Sequence, residues 1–124
     1  TGLVNLNFSY NKVSEIPSSI GELKKLTWFF SDKNNISVLP ESLLELKNLA
    51  YFHISDNIIE NLPKEFGKLT SLHGFAMNNN KLNSLPESFF YMKSLGDVHL
   101  EKNELSIEIK NRLKKTFSKI PLYL

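Results

Sequence analysis

Apolar residues recur along this chain at a fixed interval. Leu3, Leu26, Leu49, Leu72 and Leu95 stand 23 residues apart, and with them aligned the other apolar positions fall into columns without a gap. One column reads Leu6, Phe29, Phe52, Phe75, Val98. Two residues later comes Phe8, Ser31, Ile54, Met77, Leu100, with Ser31 the one polar member. Asparagine follows in every repeat, at Asn11, Asn34, Asn57, Asn80 and Asn103, ahead of Val13, Ile36, Ile59, Leu82 and Leu105. Ile16, Leu39, Leu62 and Leu85 each precede a proline, so four of the five prolines (Pro17, Pro40, Pro63, Pro86) share one repeat position.

Alternation around Leu6/Phe8 or Phe52/Ile54 has a period of two and lasts only a few residues, which predicts one short strand per repeat. Strands related by one repeat run parallel, and a parallel pair needs a crossover of a dozen or more residues. The rest of each repeat supplies it. Proline fixes φ and lacks a donor, so it marks where the chain leaves the ladder. On the return path Ile20, Leu43, Phe66, Phe89 and Leu23, Leu46, Leu69, Met92 lie three residues apart, the spacing of a short helix or 3₁₀ segment. Gly21 and Gly67 share a return position and are expected to relieve crowding there. An asparagine in phase with inward apolar residues is buried, and a buried amide persists only if neighbouring backbone meets its donors and acceptor. Asn11, Asn34, Asn57, Asn80 and Asn103 are therefore expected to form a structural ladder across repeats.

After Leu105 the pattern breaks. Ser106 is placed to N-cap a helix, and Ile109, Leu113, Phe117 and Ile120 follow at helical spacing. The organisation predicted is five repeats over 1–105 and a C-terminal cap over 106–124, with a helix at about 107–119 stopped by Pro121. Lys110, Arg112, Lys114, Lys115 and Lys119 on its outer side read as a solvated face rather than a binding strip. At the other end the first strand, Leu3 to Phe8, is expected to have a bare edge, and bare parallel edges invite pairing. Either residues precede Thr1, or the edge packs on a second copy.

Composition narrows the chemistry. The chain has 124 residues, 41% of them hydrophobic and 23% charged, as in a folded domain. A net charge of +2, with Arg112 the one arginine, leaves too little for a phosphate-backbone binder. No nucleic-acid partner is expected. There are no cysteines, which excludes disulfides, thiolate metal sites and cysteine nucleophiles. No apolar run is long enough to span a bilayer, so no membrane insertion is expected.

The signature L-x-x-L-x-L-x-x-N-x-L stands at Leu3 to Val13, Leu26 to Ile36, Leu49 to Ile59, Leu72 to Leu82 and Leu95 to Leu105. On these residues the chain resembles the leucine-rich-repeat family, in the 23-residue form with Leu-Pro after the signature. That form is similar to proteins of pathogenic spirochaetes and to the intracellular Ras-associated type of eukaryotes. Lys and Asn richness favours the bacterial group. The resemblance implies an α/β solenoid, or horseshoe, with a short parallel sheet on its concave side, helical or 3₁₀ segments on its convex side, and a role in holding other proteins. A secreted or surface-exposed bacterial protein is favoured, with any signal peptide outside this chain, and the partner is expected to be a protein, in a bacterium a host protein.

Residues flanking the inward pair on each strand point to solvent. Their columns are Asn5, Trp28, Tyr51, Gly74, Asp97; Asn7, Phe30, His53, Ala76, His99; and Ser9, Asp32, Ser55, Asn78, Glu101. Trp28, Phe30, Tyr51 and His53 form an aromatic square on two neighbouring strands, with Asp32 and Asp56 beside it. Exposed aromatic surface is the usual anchor of a protein interface. The competing reading has Trp28 folded over the gap left by Ser31, serving only cross-strand packing. Asp97, His99 and Glu101, with His73 nearby, resemble metal ligands on paper, but i and i+2 on a strand lie about 7 Å apart, too far to chelate one ion. They read as a polar rim of the binding face, and neither metal nor cofactor is expected. No nucleophile with a base and no Gly-rich phosphate loop is present, so the chain reads as a non-enzyme. The expected function is protein binding through the aromatic patch, with self-assembly through the N-terminal edge, as a homodimer, or a Ras-associated-type scaffold as alternatives.

Overall fold

The computed structural model describes residues 2–124. Strands β1 (Asn5–Asn7), β2 (Trp28–Phe30), β3 (Tyr51–His53), β4 (Gly74–Ala76), β5 (Asp97–His99) and β6 (Leu122–Tyr123) form one sheet in chain order. All neighbours pair in parallel, and Leu6, Phe29, Phe52, Phe75 and Val98 face one another in register. Crossovers run through 3₁₀ segments at Ser18–Glu22, Glu41–Glu45, Phe66–Lys68 and Glu87–Tyr91. Proline opens these turns because only its carbonyl is needed: Ile20, Leu43, Phe66 and Phe89 donate to the carbonyls of Pro17, Pro40, Pro63 and Pro86 at 3.0–3.1 Å. The ring's fixed φ suits that position, and its missing N–H removes nothing.

Between sheet and crossovers lies the core. Phe29, Phe52, Phe66, Phe75 and Phe89 are fully buried, with neighbouring ring centroids 5.2–6.1 Å apart. Each such ring contributes roughly 1.5–3 kcal/mol by leaving water. Ser31, the gap in its column, is completely buried, and its Oγ has no partner. In the first repeat Leu3 is exposed and Leu6 and Phe8 are half-buried. An apolar cavity of about 360 Å³ lies beside Leu6, Phe8, Ile16, Ile20 and Leu23.

The asparagine column is wired the same way in each interior repeat. Asn57 Nδ2 donates to the carbonyls of Ser31, Ile54 and Ser55, and its Oδ1 accepts from Ile36 N–H at 2.9 Å. Asn34, Asn80 and Asn103 repeat the set. Asn34, Asn57 and Asn80 are buried; Asn103 is half-buried and Asn11, at the first repeat, is exposed. Immediately before each asparagine the chain turns through a left-handed residue: Tyr10, Lys33, Asp56, Asn79 and Lys102 have φ of 53–63°. None is glycine; Asp56 and Asn79 are of the types that tolerate this region, whereas at Tyr10, Lys33 and Lys102 packing imposes it against intrinsic preference.

Return segments pack through an alternation. A Cβ on Gly21 would lie 2.7 Å from the Ser42 carbonyl oxygen, and one on Gly67 would lie 2.5 Å from that of Ser88. One repeat after each glycine the same position holds a large buried residue, Leu44 and Phe90.

At the C-terminal end the structure departs from expectation. Helix α1 spans Ile107–Thr116, ending three residues before the predicted 119, with Ser106 Oγ accepting from Ile109 N–H at its start. Phe117 leaves helical geometry and its N–H still reaches Leu113 O at 2.9 Å. The turn that follows brings Pro121 to Tyr123 alongside β5, where Val98 and Leu100 donate to the carbonyls of Pro121 and Tyr123. The cap is thus a helix and a strand. Arg112 does not belong to a free basic strip: its guanidinium forks onto Glu87 at 2.7 and 2.8 Å and lies 3.8 Å from the Phe90 ring centre. That pairing holds the Glu87 carboxyl below its usual range.

Candidate functional site

The outward face of the sheet is built by alternation: inward Phe29 and Phe52 send their neighbours Trp28, Phe30, Tyr51 and His53 to the other side. Register then sets these rings one strand apart. Trp28 and Tyr51 stack at 4.3 Å with an interplanar angle of 25°, and Phe30 and His53 at 4.4 Å and 18°. Trp28 and Phe30 meet edge to face at 5.8 Å. Trp28 remains 41% exposed on this face and does not reach through the sheet to Ser31. Beyond β3 the aromatic surface dips. Gly74 and Ala76 are buried, and Tyr51 leans over Gly74, where a Cβ would come within 2.8 Å of its ring.

A second stack stands past the dip. His99 packs on Tyr123 at 4.5 Å and 12°, a contact absent from the sequence reading because β6 was not foreseen. His99 Nε2 lies 3.5 Å from Asp97 Oδ2. Among the described residues no group of three His, Asp or Glu side chains is close enough to hold a metal ion. His73 is exposed at the margin, edge-on to Tyr51 at 6.0 Å.

Asp32 and its column have a structural task that the sequence reading missed. Ser9 Oγ accepts from Asp32 N–H at 3.0 Å, Asp32 Oδ1 from Ser55 N–H at 2.7 Å, Ser55 Oγ from Asn78 N–H at 3.0 Å, and Asn78 Oδ1 from Glu101 N–H at 2.7 Å. This is a second ladder along the rim of the sheet face. Glu101 ends it and is exposed. Asp56, in its left-handed turn, accepts from Asn79 Nδ2 at 2.6 Å. Asp32 and Asp56 are thus both engaged by the next repeat, each with one carboxylate oxygen. The signal was present as acceptor-bearing residues at every position of the column.

Electrostatics centre on β2 and β3. Burial pushes the Asp32 carboxyl up from its ordinary value, against the Ser55 N–H and the neighbouring His53. Burial likewise holds the His53 imidazole down, against the pull of Asp32 and Asp97. A cavity of about 280 Å³ opens beside the aromatic square, lined by Asn5, Leu6, Asn7, Trp28 and Phe30. Among the described residues no helix is long and apolar enough to cross a membrane.

The Leucine Rich Repeat family model matches residues 2–23. A leucine-rich-repeat protein of Leptospira interrogans, a spirochaete, shares the fold over 98% of this chain, with a TM-score of 0.85 and 29% identity. An internalin of Listeria monocytogenes matches 94% of the chain at a TM-score of 0.82 and 20% identity, which shows the fold alone. The chain spans 37% and 33% of the lengths of those two proteins. No curated protein matches the sequence. Five signatures in register, an open parallel sheet with 3₁₀ crossovers and these likenesses together give the chain the leucine-rich-repeat solenoid fold, in the 23-residue Leu-Pro form, similar to that of the spirochaete protein.

Proposed function

We propose that this chain is a non-enzymatic module that binds a protein partner on the outward, concave face of its sheet, anchored by Trp28, Phe30, Tyr51 and His53. The observation that carries the reading is the half-open Trp28–Tyr51 stack on a face that, among the described residues, no other element covers. Two large rings held by register present rigid apolar area at little entropic cost, the property that makes Trp and Tyr interface anchors. Asp97, His99 and Glu101 form the polar rim on the far side of the Gly74/Ala76 dip, with Asp32 and Asp56 at the near margin. A rim of this kind sets orientation rather than affinity.

A displayed peptide library selected on the wild-type chain, with counter-selection on Trp28→Ala/Tyr51→Ala, tests this. Ligands retained by the wild type and lost by the double variant are the expected result, with circular dichroism and melting unchanged between the two. Ligands that bind both proteins equally place the binding surface elsewhere and overturn the assignment.

A further inference from the structure

The cavity beside Trp28 has a definite construction. Tyr51 covers the face of Trp28 turned towards β3, and His53 does the same for Phe30. The cavity lies on the β1 side and so meets the faces that these two stacks leave open. Its opposite wall is Asn5 and Asn7, one strand away. Asn7 Oδ1 already accepts from Ser9 N–H at 3.0 Å, which holds that side chain in place. Neighbouring strands stand about 4.8 Å apart, so the space lies above the short Asn5 and Asn7 side chains, where a flat group can rest against the taller rings.

Charge selects among flat groups. The fifteen outward positions of β1 to β5 and their rim include Asp32, Asp97 and Glu101 and not one Lys or Arg, although the chain carries fifteen basic residues. Asp32 follows Phe30 by two residues, about 7 Å along the strand, and Trp28 by four, about 13 Å, so its charge acts at the Phe30 end of the cavity, within one Debye length (~8 Å) at physiological salt. A cation over an indole face is attracted by the ring quadrupole, and a guanidinium is both planar and weakly hydrated. We infer that this cavity receives an arginine side chain of the protein partner, its guanidinium lying against the open faces of Trp28 and Phe30, above Asn5 and Asn7. The inference rests on the reading of the sheet face as a protein-binding surface, and it names the chemistry of the residue bound there.

Trp28 is the single tryptophan of the chain, so its fluorescence reports on this cavity and the ring stack beside it. The probes are the blocked tripeptides Gly-Arg-Gly, Gly-citrulline-Gly and Gly-Lys-Gly. Citrulline keeps the planar shape and removes the charge; lysine keeps the charge and removes the plane. The arginine probe is expected to shift Trp28 emission and to bind roughly 3- to 30-fold more tightly than the citrulline probe. Its advantage should shrink as salt rises from about 50 to 500 mM. Asn5→Ala and Asp32→Asn should each weaken it, with the fold checked by circular dichroism. Equal binding of the arginine and citrulline probes, or an arginine probe that leaves Trp28 emission unchanged, overturns the inference. Patch-dependent library ligands without arginine also overturn it while the concave reading stands. A library that yields no patch-dependent ligand overturns that reading itself.

Discussion

Two ladders run across the repeats, and they differ in what they ask of a side chain. The inner one, through Asn34, Asn57 and Asn80, requires two donors and an acceptor from a single planar group under the strands. Only asparagine has those at that length, since aspartate offers no donor and glutamine is one methylene too long. The outer ladder asks for a single acceptor at the water-facing rim, and there Ser9, Asp32, Ser55 and Asn78 all serve. Uniformity along a repeat column therefore measures how many hydrogen bonds the position must satisfy, more than how much energy it contributes.

The sharpest break of that contrast is Asn57→Ala. It leaves the Ile36 N–H and the carbonyls of Ser31, Ile54 and Ser55 without this partner in the interior, and chemical denaturation should show a loss of about 3–5 kcal/mol. A matched pair sharpens the point. Asn80→Ser should cost about 2 kcal/mol because a hydroxyl cannot span the inner set, whereas Asn78→Ser, which copies Ser9 and Ser55, should stay within about 0.5 kcal/mol of wild type.

Next in size is Asp32→Asn, which keeps the acceptor for Ser55 N–H and removes a half-buried charge. Because burial raises the Asp32 pKa above its unfolded value of 3.8, the wild-type residue supports folding fully below that pH and loses this support as pH rises through the folded value. The variant should therefore be more stable by a few tenths of a kcal/mol at neutral pH, solvent screening included, with the gain absent below pH 3.8. Melting temperatures at both pH values check it.

The smallest effect concerns His53. Its pKa is held below the unfolded 6.5 by burial, so its contribution is complete above pH 6.5 and is lost as pH falls through the folded value. His53→Gln should flatten that part of the stability profile below pH 6.5. A profile identical in wild type and variant would remove His53 as the titrating group.

Most of the architecture was legible because the repeat makes each position vote five times. Strand positions, register, the proline turns and the crowding at Gly21 and Gly67 all follow from columns in phase. What escaped reading lies where the columns stop agreeing. The outer ladder is chemically mixed, and its residues look like solvent-facing decoration until their acceptors are matched to backbone N–H groups. The left-handed turns carry Tyr10, Lys33 and Lys102, none of which advertises positive φ. Strand β6 pairs Val98 with Leu122, 24 residues on instead of 23, and Pro121 read as a stop for the helix when it also opens the strand. At the candidate site the membership of the aromatic square was readable, while the stacking faces and the cavity beside Trp28 depend on rotamers that no column records.

The alternation of Gly21, Leu44, Gly67 and Phe90 bears on how such an array changes length. On the return side its period is two repeats, 46 residues from Gly21 to Gly67, although its period of hydrogen bonding is one. Excising a single repeat around Gly67 would bring Leu44 and Phe90 into consecutive repeats on the return side, and excising one around Leu44 would bring the two glycines into consecutive repeats. Gain or loss in pairs preserves the interlock. Insertion or removal of two repeats together is thus expected to be tolerated better than of one.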